Sequence, residues 1–216
     1  KMEAICVPKT GMRTGDNERF LRYWFEVSDS LFGKGMPNAS IAMKSGRKWF
    51  PYNKGGNYRM WYGNNELLVN WKNDGEAIKD NTKKAYPQLG DNLSWKITNE
   101  RDYFRPGITW TALTSGVNSF RWSPAGSIFD SNKGPMMFPD KRIQYSLLGL
   151  LSSSVTAAIL GILNPSLSLQ NSDIGKMPVN ISKNEITDAI VRDCIDLARY
   201  DWDSFEVSWD FERHPL

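Results

Sequence analysis

The hydrophobic positions of the chain follow two patterns, and the change between them lies near Lys141. Before Lys141, short aromatic or β-branched runs alternate with turns rich in Gly, Asn and Pro, a pattern typical of β-strands. The runs that we predict as strands are residues 20–27, 48–52, 67–71 and 107–111. Residues 74–85 hold helix-forming Ala, Glu and Lys and predict one short helix. This part of the chain is therefore expected to be a twisted, mostly antiparallel β domain with long loops.

After Lys141 the pattern becomes helical. Residues 145–151 and 153–163 are rich in apolar side chains and predict two short buried helices, with the serines at 152–154 as their junction. The stretch 145–163 carries no charge and has nearly the length of a bilayer span. Its serines, threonine and glycines disfavour insertion, so we expect no membrane partner. Asn164-Pro165 then ends the second helix.

The end of the chain predicts a further helix and a tail. Ser182 and Glu185 have the spacing of a capping box, which marks a helix start. The apolar face predicted for this helix consists of Ile186, Ile190, Cys194 and Leu197. Residues 201–211 alternate acids with large aromatics and are expected to dock on this domain or on a neighbouring one. The predicted fold class is α+β, with a β domain over residues 1–180 and the C-terminal helix and tail over residues 181–216.

Charge is distributed unevenly along the chain. Residues 1–150 carry 22 Lys and Arg against 14 Asp and Glu, a formal charge of +8, whereas residues 151–216 carry 5 against 10, a charge of −5. A basic body with an acidic end suits an anionic partner on one face and a protein neighbour elsewhere. Cys6 and Cys194 are far apart and match no metal-ligand spacing. We therefore expect a cytoplasmic protein in which both thiols are packed as small hydrophobes.

The sequence contains no self-contained active site. His214 is the only histidine and lies beside Pro215 near the chain end, which argues against catalytic triads and excludes histidine-based zinc sites. No phosphate loop or dinucleotide-binding loop is present, and Phe32-Gly33-Lys34-Gly35 has the composition of a flexible turn. The chain alone is therefore expected to be no enzyme and to hold no cofactor or metal.

Several motifs resemble one protein family. Residues 9–20 contain the pattern G-x-x-T-G-x-N-x-x-F and resemble the start of the specificity domain of amino-methylating adenine DNA methyltransferases. Further segments that resemble this group are residues 22–27, 104–111, 126–134, 145–153 and 169–179, the last of which is also similar to type I restriction specificity subunits. Residues 201–211 and 214–216 are most similar to the PglX-like methyltransferases of BREX phage-exclusion systems. The resemblance covers nearly the whole chain.

The chain departs from this family at the catalytic motif. The family pattern is [DNS]-P-P-[YF], and Asn164-Pro165-Ser166-Leu167 lacks its second proline and its aromatic residue. The family's glycine loop for the cofactor is missing too. The resemblance thus implies that S-adenosyl-L-methionine binds a catalytic methyltransferase domain of the same polypeptide, outside this chain. Residues 1–180 would then be a DNA target-recognition domain, with double-stranded DNA, that catalytic domain and other defence-system subunits as partners.

Two groups of polar residues are the candidate DNA contacts. The group expected to hold phosphates crowds one glycine-containing turn and consists of Lys9, Arg13, Thr14, Asn17 and Arg19. The group expected to reach base edges in the major groove is interleaved with aromatic and amide side chains and consists of Lys44, Arg47, Lys48 and Arg59. The tryptophans that we assign to the core are Trp61, Trp95, Trp110 and Trp122.

Three alternatives remain open at this stage. The first is a half-length module similar to type I specificity subunits, which is the same class of function in another complex. The second is a carbohydrate-binding β domain, suggested by 9 Trp and many Gly and Asn loops, which requires exposed coplanar aromatics. The third is an assembly domain that docks subunits through residues 202–211. Salt-sensitive DNA binding distinguishes recognition of DNA from the last two.

Overall fold

The computed structural model describes residues 1–114 and 117–215. Its strands are β1 (Leu21–Tyr23), β2 (Trp49–Asn53), β3 (Leu67–Asn70), β4 (Gly107–Trp110), β5 (Phe120–Ser123), β6 (Ile128–Phe129) and β7 (Met136–Met137). Its helices are α1 (Asn17–Phe20), α2 (Ala39–Lys44), α3 (Lys72–Ala85), α4 (Gln144–Leu151), α5 (Ser154–Leu163), α6 (Asn171–Lys176) and α7 (Glu185–Asp203). The predicted α+β class is confirmed.

The strands form two sheets. The first has the order β1-β3-β2-β6, and the second has the order β5-β4-β7. All pairings are antiparallel except that of β2 with β6, in which Tyr52 lies opposite Ile128 and Asn53 opposite Phe129. This parallel pairing places the end of β2 beside the segment that follows β6, which is where the candidate site forms.

Three of the four predicted strands appear nearly as expected, as β2, β3 and β4. The fourth, predicted over residues 20–27, is wrong in its extent because the strand ends at Tyr23 and a 3₁₀ turn follows over Trp24–Glu26. The physical cause is local: the Glu26 carboxylate accepts a hydrogen bond of 2.6 Å from the Tyr23 backbone N–H. This hydrogen bond stabilises a turn, which competes with further strand pairing.

The predicted helices in the middle of the chain are confirmed. α3 spans Lys72–Ala85, but Asn73, Asp74 and Gly75 have positive φ, so the regular right-handed helix follows Gly75. α4 and α5 meet at the expected serines. The Ser153 hydroxyl caps α5 by accepting from the Thr156 N–H at 3.2 Å. Within the described residues, no single helix has the length and apolar composition of a membrane span; α4 and α5 have it only as a pair, and they are bent by 64° at their junction.

The prediction for the last helix is wrong at its start and on its buried face. α7 is capped by Asn184, whose side chain accepts from the Thr187 N–H at 3.0 Å, and not by Ser182. The predicted apolar face is largely exposed, since Ile186 is 75% exposed and Leu197 is 69% exposed. The residues that α7 buries are Asp188, Val191, Ile195 and Trp202. α7 therefore turns its other face to the protein.

A buried carboxylate explains why α7 packs in this orientation. Asp188 accepts a 2.5 Å hydrogen bond from the Ser146 hydroxyl of α4, so this buried carboxyl group has a partner inside the protein. Val191 and Ile195 join the same hydrophobic cluster as Leu147 and Leu148 of α4. A sequence pattern assigns Asp188 to solvent because it is polar, yet its hydrogen bond joins α7 to α4.

The core contains two hydrophobic clusters. One surrounds the first sheet and α3, and the other lies between the second sheet and the helices that follow it. Trp110 is fully buried in the second cluster, and Trp61 and Trp122 pack against it while partly exposed. The assignment of Trp95 to the core is wrong, because this side chain is 64% exposed and lies at the edge of Tyr86.

The C-terminal tail contacts the first part of the chain. The Trp24 indole N–H donates to the Val207 carbonyl at 2.9 Å, and the ring of Trp209 meets that of Phe32 at 5.4 Å. Lys34 forms an ion pair with Asp210. These contacts hold the acidic tail against basic and aromatic residues near the N-terminus, and its docking on a further domain stays a prediction.

Candidate nucleic-acid interface

The loop from Gly11 to Asn17 is held by backbone contacts with the segment after β6. The Met12 N–H donates to the Phe129 carbonyl at 3.0 Å, and the Ser131 N–H donates to the Met12 carbonyl at 3.1 Å. A side chain at Gly11 would overlap the Phe129 carbonyl oxygen, so only glycine permits this approach. The G-x-x-T-G-x-N-x-x-F pattern therefore begins with a packing requirement.

The turn after β6 is organised by the carboxylate of Asp130, which is 9% exposed. One of its oxygens accepts from the backbone N–H groups of Asn132 and Lys133 at 2.7 and 2.8 Å. The other accepts from the Tyr52 hydroxyl at 3.0 Å. Burial is the main cause that raises the pKa of Tyr52 well above 10, and the Asp130 charge adds to it. The hydrogen bonds of Asp130 thus fix the turn that carries Lys133.

These neighbouring segments carry three cations, Arg13, Lys54 and Lys133, which we call the basic cluster. Arg13 lies over the turn, where its Nε donates to the Ser131 hydroxyl at 3.2 Å. Lys54 follows β2 and donates to Asn17 Oδ1 at 2.8 Å. Burial lowers the pKa of Lys54, Asp130 opposes that shift and Lys133 adds to it. Within the described residues, no carboxylate forms an ion pair with any of the three.

The other residues predicted to hold phosphates have different surroundings. Lys9 is ion-paired with buried Asp102, and the same carboxylate also pairs with Arg105. Thr14 is 4% exposed, and its hydroxyl donates to Asn17 Oδ1 at 2.6 Å. Arg19 is exposed on α1, where it stacks on Phe20 and contacts the amide of Asn81, 3.4 Å away. Of the predicted group, only Arg13 belongs to the basic cluster, which Asn17 contacts through Lys54; Lys9, Thr14 and Arg19 lie outside it.

The residues predicted to reach base edges lie elsewhere. Lys44 ends α2 and is exposed, and Lys48 precedes β2 with its ammonium 5.3 Å from the ring centre of Trp49. Arg47 donates to the Asp29 carbonyl at 2.6 Å. Arg59 is bound by the tail, since it pairs with Asp201 and stacks on Trp202. The structure therefore groups Lys44, Arg47 and Lys48 at the start of β2 and separates Arg59 from them.

Sequence reasoning missed two members of the basic cluster and one cation near Lys48. Lys54 and Lys133 each stand beside glycine in a loop, and this local composition was the available signal. Arg22 was missed as well; its guanidinium lies 5.6 Å from the ring centre of Trp49, on which Lys48 also lies. The basic cluster lies at the end of β2, whereas Arg22, Lys44, Arg47 and Lys48 lie at its start. In an extended chain the backbones of Lys48 and Lys54 are about 20 Å apart, which gives the separation of the two groups.

The described part of the chain contains no cluster of three or more His, Cys, Asp or Glu side chains suited to a metal ion. Cys6 is buried, which raises the pKa of its thiol, while Cys194 is partly exposed on α7. The chemistry that this surface offers is thus hydrogen bonding and positive charge.

Comparison with known proteins gives two relatives, and no family model matches the chain. The chain is 33% identical over 217 residues to the adenine-specific methyltransferase PglX of Lacticaseibacillus casei (strain Zhang), covering 100% of this chain and 18% of that protein. It is 32% identical over 205 residues to the adenine-specific methyltransferase BrxX of Escherichia coli O9:H4 (strain HS), covering 94% of this chain and 15% of that protein. The chain thus spans less than a fifth of either relative.

Proposed function

Because the chain is related along its whole length to a segment of the PglX- and BrxX-type adenine-specific methyltransferases, we propose that it is the DNA-recognition module of a site-specific adenine-N6 DNA methyltransferase. The module serves a restriction-modification or phage-exclusion system. It binds double-stranded DNA while a catalytic domain of the same polypeptide methylates the adenine with S-adenosyl-L-methionine.

The observation that carries this proposal is the basic cluster. Arg13, Lys54 and Lys133 come from three segments distant in sequence, and none has a carboxylate partner within the described residues. The charged form of Lys54 is disfavoured by burial and by Lys133, and Asp130 offsets this cost only in part, since the pKa of Lys54 is lowered. A chain of phosphates offsets that cost and releases its counterions, which makes binding strong and salt-dependent.

The two ends of β2 supply the two kinds of contact in this proposal. The basic cluster binds the phosphate backbone, with Thr14 holding Asn17 in place by a hydrogen bond of 2.6 Å. Lys44, Arg47 and Lys48, together with Arg22, form the second cationic group, which reaches base edges. The separation of about 20 Å between the groups corresponds to about six base-pair steps of 3.4 Å.

The cluster is tested with the double variant Arg13→Ala, Lys133→Ala in a titration of labelled mixed-sequence duplex DNA. The expected result is weaker binding on every sequence, with the slope of log K against log salt concentration reduced by about two. The matched control is Lys176→Ala, an exposed lysine that ends α6. An affinity and a salt slope equal to those of the unsubstituted chain would overturn the assignment of this cluster.

A further inference from the structure

A cleft of about 380 Å³ opens beside the basic cluster. Its walls include Tyr23 and the cations Lys54 and Lys133. Asn57, Asn64 and Thr111 line it as well, together with Glu66, a carboxyl group whose pKa is raised by burial. This volume is within the range of about 300–1,000 Å³ that is typical of sites for small molecules. The cleft thus combines positive charge, an aromatic face and polar groups in one place.

A buried arginine behind the cleft adds positive charge. Arg121 is 1% exposed, and its guanidinium donates to the Thr111 hydroxyl at 3.2 Å and to the Arg59 carbonyl at 3.3 Å. Its Nε has no hydrogen-bond partner, and no carboxylate pairs with it in the described part of the chain. Burial lowers its pKa to about 10, which leaves it charged at neutral pH. An uncompensated buried charge is costly, and an anion in the cleft reduces that cost.

The aromatic side of the cleft is exposed. Tyr23 is 45% exposed, and Phe25 is 66% exposed and stacks on it, with ring centres 5.4 Å apart and planes within 6°. Stacking fixes the plane of the Tyr23 ring without burying it. Exposed aromatic rings beside a cationic groove are the platform on which proteins stack unpaired bases.

We infer that this cleft binds one unstacked nucleotide of the DNA, with its phosphate between Lys54 and Lys133 and its base against Tyr23. Thr111, which the buried Arg121 supports by a hydrogen bond, lies in the wall of the same site. Asn57, Asn64 and Glu66 supply donors and acceptors for the base edge. The inference rests on the proposed function, since it places a nucleotide of the recognised DNA in this module.

The test compares a fully paired duplex with the same duplex carrying one extrahelical 2-aminopurine, by anisotropy and by the fluorescence of that base. The expected result is binding of the extrahelical duplex about fivefold or more tightly, with quenching of 2-aminopurine on contact with the ring. Tyr23→Leu removes both effects and Tyr23→Phe retains them. The control Tyr200→Leu removes an exposed tyrosine of α7 and changes neither effect.

The outcomes separate this inference from the proposed function. Equal affinity for both duplexes, with fluorescence insensitive to Tyr23→Leu, would overturn the nucleotide site and leave DNA recognition standing. Binding of the extrahelical duplex without binding of the paired one would support the cleft and overturn duplex recognition. Absence of binding to either would overturn both. Displacement of the extrahelical duplex by micromolar deoxyadenosine monophosphate would assign the cleft to a free nucleotide and overturn its assignment to DNA.

Discussion

The surroundings of each charged residue determine whether it is available to a partner. Lys9 and Arg13 are four positions apart, yet Lys9 pairs with the buried carboxylate of Asp102 whereas Arg13 contacts neutral oxygens. Arg59 is drawn to Asp201 of the tail. A basic residue in a loop is therefore a candidate contact only after its internal partners are known.

Gly11 is the residue whose replacement tests the geometry of the site most directly. Gly11→Ala places a methyl group onto the Phe129 carbonyl oxygen, and we expect it to lower the free energy of unfolding by about 3 kcal/mol or more. Gly161→Ala is the matched control, because a Cβ there meets nothing within 4 Å and alanine favours a helix by about 1 kcal/mol. Urea unfolding of both variants measures the difference; a Gly11→Ala protein as stable as the unsubstituted chain would contradict the close approach.

At the scale of elements, α7 shows how packing decides between faces that a pattern allows. Ile186, Ile190 and Leu197 are apolar but exposed, while Val191 and Ile195 are buried. The exposed stripe is available to a protein partner. The assembly alternative, which assigns docking to residues 202–211 instead, stays a prediction.

The start of α7 gives a prediction at this scale. Asn184→Ala removes the side chain that accepts from the Thr187 N–H, so we expect a loss of about 1 kcal/mol in unfolding free energy. Ser182→Ala is expected to change stability by less than about 0.5 kcal/mol, since Ser182 is exposed and precedes the cap. Thermal unfolding of the two variants distinguishes the two possible caps. A larger loss of unfolding free energy for Ser182→Ala than for Asn184→Ala would show that Ser182 caps the helix.

The sequence predicted those elements whose signals are local. β2, β3 and β4 are aromatic or β-branched runs between turns, and the serine junction marks the break between α4 and α5. The buried face of α7 depends instead on the Asp188–Ser146 hydrogen bond, which joins distant residues. The same reason applies to the site: the glycine-containing loop was predicted, whereas Lys54 and Lys133 meet it only through the pairing of β2 with β6.

At the scale of the whole molecule, the uneven charge is partly balanced inside the structure. The acidic tail reaches the basic part through the Lys34–Asp210 and Arg59–Asp201 ion pairs. Exposed pairs of this kind contribute little stability, typically about 0–1 kcal/mol each, but they turn those cations away from a nucleic acid. Among the cations of the described residues that have no carboxylate partner, Arg13, Lys54 and Lys133 lie at one end of β2, and Arg22, Lys44, Arg47 and Lys48 lie at the other.

The two ends of β2 are expected to differ in their effect on specificity. Arg47→Ala and Lys48→Ala are expected to change which sequences are selected from a random duplex library, because they belong to the proposed base-reading group. Arg13→Ala is expected to lower affinity without changing the selected sequence. Sequencing of the bound fraction measures both effects. An equal loss of affinity on all sequences for Arg47→Ala and Lys48→Ala would contradict the base-reading assignment.

Recognition of DNA by this chain is tested most directly by its binding to mixed-sequence duplex DNA at two salt concentrations. We expect micromolar or tighter binding at low salt that weakens steeply as salt rises, because Arg13, Lys54 and Lys133 displace counterions from phosphates. Absence of binding at low salt, or an affinity that does not change with salt, would contradict it.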